Sequence, residues 1–177
     1  MLSIPDEVCI RVKTSAQELD LAAVAALSML AWAGKVDEAG VRQRARRLGK
    51  RLAGTDASGH FMVMAQRGGE LVGFGRIVRL DAEPGSWRLE GIVVHPGHRR
   101  KGIATAIVRC AIACARARGA TAVESQVHID NAPSVALHER LNFANGGVFT
   151  DEDGDRLIRF RMLPDGTGAM PARPSTH

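Results

Sequence analysis

The sequence contains no tyrosine, and only two Trp and five Phe among its 177 residues. A chain so poor in rings has little with which to stack bases. Its net charge of +5 is weak ground by itself for nucleic-acid binding, so no nucleic-acid partner is expected. Cysteine is scarce as well. Cys9, Cys110 and Cys114 do not suit a disulfide framework, and none stands in a CxxC pair. Cys110 and Cys114 lie one helical turn apart in an alanine-rich stretch, without His or further Cys at ligand spacing. They read as small buried helix residues, and no metal is expected. No apolar run approaches the roughly 20 residues of a membrane span. Met1 to Pro5 runs straight into Asp6 and Glu7, unlike a signal peptide. These absences point to a cytoplasmic protein without membrane attachment. What remains, 45% hydrophobic and 24% charged, is the balance of one globular domain with a real core.

The order of elements follows from patterning. Val8 to Val12 is a β-branched run and reads as a strand. Ser15 with Glu18 forms a capping box, which predicts a helix from there to about Trp32, broken by Gly34. A second, very basic amphipathic helix is expected from about Asp37 to Leu52, ended by Gly54 and the polar stretch to Gly59. His60 to Gln66, Leu71 to Leu80 and Trp87 to Val94 are β-prone, with Arg67-Gly68-Gly69-Glu70 as a tight hairpin turn between the first two. Ala104, Ile107, Val108, Ala111, Ile112 and Ala115 recur at helical spacing up to Gly119, and Thr121 to Val127 is the next strand. A strand–helix–strand unit of that length predicts a parallel pair. Asn131 to Leu141 is a short helix with Pro133 in its first turn, followed by strands near Ala144 to Phe149 and Arg156 to Met162. The fold class is therefore α+β: a mixed, mostly antiparallel sheet of about seven strands flanked by about four helices. Residues 1–163 make a single domain, and the Pro-, Gly- and Ser-rich stretch 164–177 a flexible tail.

The loop after Val94 carries the chemistry. Arg99-Arg100-Lys101-Gly102-Ile103-Ala104 is basic, bears a glycine and opens a helix. The free N–H groups and positive dipole end of a helix start favour an anion. Gly102 and Ala104 keep bulk away, so a phosphate can approach the backbone. The loop is neither a Walker A sequence nor a GxGxxG fingerprint.

Arg99-xx-Gly102-x-Ala104 after Val93-Val94-His95-Pro96 resembles the [Q/R]xxGx[G/A] motif of the GNAT acetyltransferase family. Asn131-xxxx-Ala136-Leu137-His138-Glu139-Arg140-Leu141-Asn142-Phe143 resembles the family's N…A-x-x-LYEKLGF segment at the expected distance. The ending from Gly147 through Gly154 to Met162 is similar to ElaA-like members. The resemblance covers roughly residues 8 to 163. It implies an acyl-CoA N-acyltransferase fold and transfer of an acetyl group from acetyl-CoA, as cosubstrate, to the amine of a small molecule or peptide. A homodimer is compatible with it. It further implies that Ile92, Val93 and Val94 bond the pantetheine arm where two strands splay. Arg99, Arg100, Lys101, Gly102, Ile103 and Ala104 hold the pyrophosphate, Thr105 adds a hydroxyl, and Asn131 meets the cofactor from across the cleft.

The departures are informative. His138 stands where the family's Tyr often protonates the departing thiolate. It either supplies that proton or packs against the cofactor while water does so. Glu90 is the best-placed carboxylate to deprotonate the amine, its rival reading being a surface strand residue. Glu124, His128 and a water chain are weaker candidates. Direct attack on the thioester needs no Cys nucleophile. Asn142 replaces a glycine but tolerates left-handed backbone. Arg100 also replaces a common glycine, at a position expected to be less constrained than Gly102. Arg42, Arg44, Arg46, Arg47, Lys50 and Arg51 on the second helix are either a solvated face or, with Arg42 and Arg46 foremost, an attraction for an acidic acceptor. The competing function is a fold relative that binds or senses acyl-CoA without turnover.

Overall fold

The computed structural model describes residues 8–52 and 60–163. The N-terminal segment, the expected turn at Gly54 to Gly59 and the tail at 164–177 lie outside the described residues. Seven strands form one sheet in the order β1-β2-β3-β4-β5-β7-β6. They are β1 (Val8–Lys13), β2 (Phe61–Arg67), β3 (Glu70–Arg79), β4 (Ser86–Val94), β5 (Ala122–His128), β6 (Ala144–Thr150) and β7 (Arg156–Met162). The helices are α1 (Leu21–Ala33), α2 (Glu38–Leu52), α3 (Ile103–Ala117) and α4 (Ala132–Arg140). All strand pairs are antiparallel except β4–β5, which is parallel and joined by the α3 crossover.

Alternation along the strands splits the core in two. Phe61, Val63 and Ala65 of β2 pack with Ile103, Ile107, Val108, Ala111 and Ala115 of α3, and with Leu137 of α4. Met62 and Met64 point the other way, onto Val24 and Leu27 of α1 and Leu52 of α2. Helices therefore cover both faces. α3 lies so close to β3 that a Cβ on Gly75 would come within 2.8 Å of Ile107 Cγ2.

One expected boundary is corrected. Ser15 and Glu18 do not start the long helix: Ser15 Oγ accepts from Gln17 N at 3.2 Å and caps a single 3-10 turn, Ala16–Glu18. The cap of α1 is Asp20, whose Oδ1 accepts the Ala23 N–H at 2.9 Å. A carboxylate one turn later offers the charge-assisted cap, and the chain bends between the two. Gly34 ends α1 with φ 69°, donating its N–H to Leu30 O at 3.1 Å.

Candidate active site

The cleft originates in a break of register. Phe74 pairs with Val93 and Arg76 with Glu90, so Gly91 and Ile92 together oppose Gly75 in a β-bulge. Gly91 takes φ 58°, open to a residue without a side chain. Pairing of β4 with β5 runs only from Ser86↔Ala122 to Leu89↔Ser125. Beyond it the strands diverge, and Ile92, Val93 and Val94 line the resulting gap.

The loop closing one end of the gap is tightly built. Pro96–His98 is a 3-10 turn, with the Gly97 N–H donated to His95 Nδ1 at 3.1 Å. Arg100 has φ 61° and Gly102 φ 77°. The expectation that position 100 is relaxed is thus corrected: the chain reverses through two left-handed residues, and Arg100 bears strain that glycine would avoid. No side chain caps α3. Its first intrahelical bond runs from Ala106 N to Gly102 O, 3.0 Å, so the amides of Ile103, Ala104 and Thr105 precede the ladder. Glycine backbone beside uncapped amides is a cradle that fits a pyrophosphate.

Two cavities share Val94, Arg99, Ala104, Pro133 and Leu137. One, of about 660 Å³, runs along the loop past His98, Arg100, Gly102, Ile103, Thr105, Ala136 and Arg140. Burial, and then the neighbouring Lys101, hold the His98 imidazole below its ordinary range. The other, of about 550 Å³, passes through the β4–β5 gap to Ala31, Trp32, His128, Asp130, Asn131 and Ser134. Of the expected cofactor residues, all but Lys101 line one or both cavities; the Lys101 amine instead donates to Gly97 O at 3.2 Å. Asn131 Oδ1 is engaged in capping α4, accepting from Ser134 N at 3.2 Å. Arg99 ties the loop to β4 and α1, donating to Val94 O at 3.4 Å and to Ala31 O at 3.1 Å.

The expected proton-transfer residues are dispersed. Glu90 lines neither cavity and is ion-paired with Arg76, its cross-strand neighbour. Glu124 is buried and lines neither cavity, accepting from Arg161 at 2.9 Å; Arg161 also donates to Glu83 at 2.8 Å and holds that carboxyl below its usual range. His128 does line the cleft, with Nε2 3.4 Å from Asp155. His138 is 1% exposed and lines neither cavity. Its ring stacks on Phe160 and meets Phe143 edge-on, both at 5.0 Å. Nδ1 lies 2.8 Å from Ser134 O, and Nε2 has no partner among the described residues. Burial lowers its pKa, the Ser134 contact opposing only in part.

Arg42 and Arg46 do not reach the cleft; Arg42 pairs with Glu38 of its own helix at 3.1 Å. A separate cavity of about 650 Å³ between α1 and α2 is lined by Arg44, Arg47, Lys50 and Arg51, and shares no lining residue with the cleft. Cys110 and Cys114 are half-buried free thiols. Burial, reinforced by Cys114, pushes the Cys110 thiol up to about 11, so it is a poor nucleophile. Among the described residues no group of three or more His, Cys, Asp or Glu could hold a metal ion. Sequence reasoning missed Trp32, Asp130 and Arg140; only Arg140, inside the second motif, carried a local signal.

A mixed sheet parted at a bulge, with an uncapped helix start at the gap, is the acyl-CoA N-acyltransferase fold. The acetyltransferase (GNAT) family model matches residues 21–143, and the chain belongs to that family. It is similar to streptothricin acetyltransferase of Streptomyces lavendulae, 37% identical over 95 residues, 54% of this chain and 50% of that one. It is also similar to mycothiol acetyltransferase of Streptomyces avermitilis, 30% identical over 141 residues, 80% of this chain and 44% of that one. The chain thus spans half or less of the length of these curated relatives. Among solved structures, yncA of Salmonella typhimurium with its cofactor acetyl-CoA shares the fold. The TM-score is 0.68 at 20% identity, over 94% of this chain and 99% of that one.

Proposed function

We propose that this protein is an acetyl-CoA-dependent N-acetyltransferase in which an amine attacks the thioester directly. The observation that carries the reading is that two cavities meet on Val94, Arg99, Ala104, Pro133 and Leu137, one lined by the α3 start and the other by His128. Acetyl-CoA supplies the activated acetyl group. The amides of Ile103, Ala104 and Thr105, with Arg100, bind its pyrophosphate, and Ile92 to Val94 offer backbone groups to its pantetheine arm. Lys101 contributes charge to the loop from outside the cavities.

The acceptor nitrogen forms a bond to the acetyl carbon as the carbon–sulfur bond breaks. The nitrogen must shed a proton, and the departing thiolate must gain one. His128, an imidazole in the cleft oriented by Asp155, is better placed as the base than Glu90, which Arg76 holds aside. His138 is ill suited to donate. Ser134 O can only accept, so Nδ1 carries the hydrogen, and burial favours the neutral ring. Nε2 is then a bare acceptor. Solvent protonates the thiolate in this reading, and His138 packs beneath the site. The acetyl-CoA pool and three free thiols fit a cytoplasmic setting.

The test is thiol release from acetyl-CoA across a panel of amines, alongside calorimetric binding of coenzyme A. Release that depends on the amine, and falls about 10²-fold or more in His128→Ala, supports the reading. Binding without release across the whole panel makes the chain an acyl-CoA sensor instead.

A further inference from the structure

The two ends of α1 are held in different ways. Its buried side chains, Val24, Ala25 and Leu27, all lie in the first two turns, and Val24 and Leu27 pack with Met62, Met64 and Phe74 of the sheet. In the last turn no side chain is buried, and Trp32 is 63% exposed. Asp20 caps the N-terminus, whereas the last turn carries no basic side chain of its own. Gly34 N takes Leu30 O, which leaves the carbonyls of Ala31, Trp32 and Ala33 beyond the last α-helical bond among the described residues.

Arg99 supplies what that end lacks. From 68 residues further along the chain, its Nη2 donates to Ala31 O at 3.1 Å. A guanidinium there satisfies an orphan carbonyl and meets the negative end of the helix dipole. The side chain is held on its other side as well. Nε donates to Val94 O at 3.4 Å, and the Arg99 backbone N–H closes the 3-10 turn onto Pro96 O at 3.3 Å. Ala31, Trp32 and Arg99 all line the cavity that contains His128, and Arg99 also lines the loop cavity. A guanidinium has five N–H donors and these contacts use two, so Arg99 adds charge beside the loop cavity without leaving α1.

The family resemblance assigned Arg99 to the pyrophosphate. We infer instead that Arg99 is a positioning residue, which caps the C-terminal end of α1 from the cofactor loop and keeps that contact when coenzyme A is bound. The loop that receives the cofactor thereby also fixes the α1 wall of the cavity in which the amine attacks. This rests on the transferase reading above and adds a determinant of how the second substrate is held.

The experiment is hydrogen–deuterium exchange at the Trp32, Ala33 and Gly34 amides, with and without saturating coenzyme A. Arg99→Gln should speed their exchange about tenfold while β2 exchange and Tm stay close to wild type. Arg99→Lys should recover part of the protection, since an ammonium can meet one carbonyl but lacks the fork. Wild type should stay protected with coenzyme A bound, and calorimetry should show its Kd raised no more than about fivefold in Arg99→Gln. In turnover the amine KM should rise severalfold while the acetyl-CoA KM holds. Unchanged exchange in Arg99→Gln overturns the inference. So does coenzyme A raising wild-type exchange to the level of the variant, or a far larger loss of coenzyme A affinity, since either makes Arg99 a pyrophosphate ligand. An unchanged amine KM overturns it too, by reducing the contact to a structural cap. If no amine is turned over, the transferase reading fails separately, and exchange and calorimetry still decide where the guanidinium sits.

Discussion

The Nδ1–H of His138 donates to the carbonyl oxygen of Ser134 at 2.8 Å, one helical turn earlier in α4. That bond sets the tautomer of a ring buried between Phe160 and Phe143, and it leaves Nε2 a lone pair with nothing to give. His138→Phe should keep the ring packing and change kcat no more than about threefold. A loss of about 10²-fold or more, the usual worth of a proton donor, would restore His138 as the acid.

The same burial makes stability depend on pH. The folded-state pKa of His138 lies below its ordinary 6.5, so the unfolded chain binds the proton more readily. Its contribution to stability is complete above pH 6.5 and is lost as pH falls from there towards the folded value. Thermal melts between pH 7.5 and 5.5 should show a drop in wild type that is shallower in His138→Phe.

Arg100 sits at φ 61° on the wall of the loop cavity. Arg100→Gly should raise stability by about 0.5–1 kcal/mol in urea denaturation, strain relief exceeding the added freedom of the unfolded chain. The same change removes a cation from the cavity proposed to hold the pyrophosphate, so the KM for acetyl-CoA should rise severalfold. Opposite signs in the two measurements are the expected signature.

Gly75→Ala would drive a methyl into Ile107, and should cost about 1–3 kcal/mol by forcing α3 off β3. Chemical denaturation measures this directly. An unchanged midpoint would mean that the α3–β3 contact yields freely.

Arg161 neutralises Glu124, which is only 7% exposed. Arg161→Met should cost about 3 kcal/mol by leaving a buried carboxylate without its cation. Adding Glu124→Gln to that variant should recover part of the loss; no recovery would trace the cost to packing of the Arg161 stem.

The sequence by itself determined the element order, the parallel β4–β5 pair, the glycine-opened start of α3 and the left-handed turn at Asn142, observed at φ 61°. These are local properties: hydrophobic period, cap chemistry, and the conformations a residue tolerates. It misplaced the start of α1, because Ser15 and Asp20 both look like caps and only packing of the helix chooses between them. Tertiary structure alone decided where β4 parts from β5, since the bulge at Gly91 is a matter of register with β3. It also paired Glu90 with Arg76, buried His138 among rings, and set Trp32 and Asp130 on one cavity from opposite sides of the gap. A cross-strand partner or a cavity wall depends on residues far apart in the chain, and no local pattern encodes which of them meet.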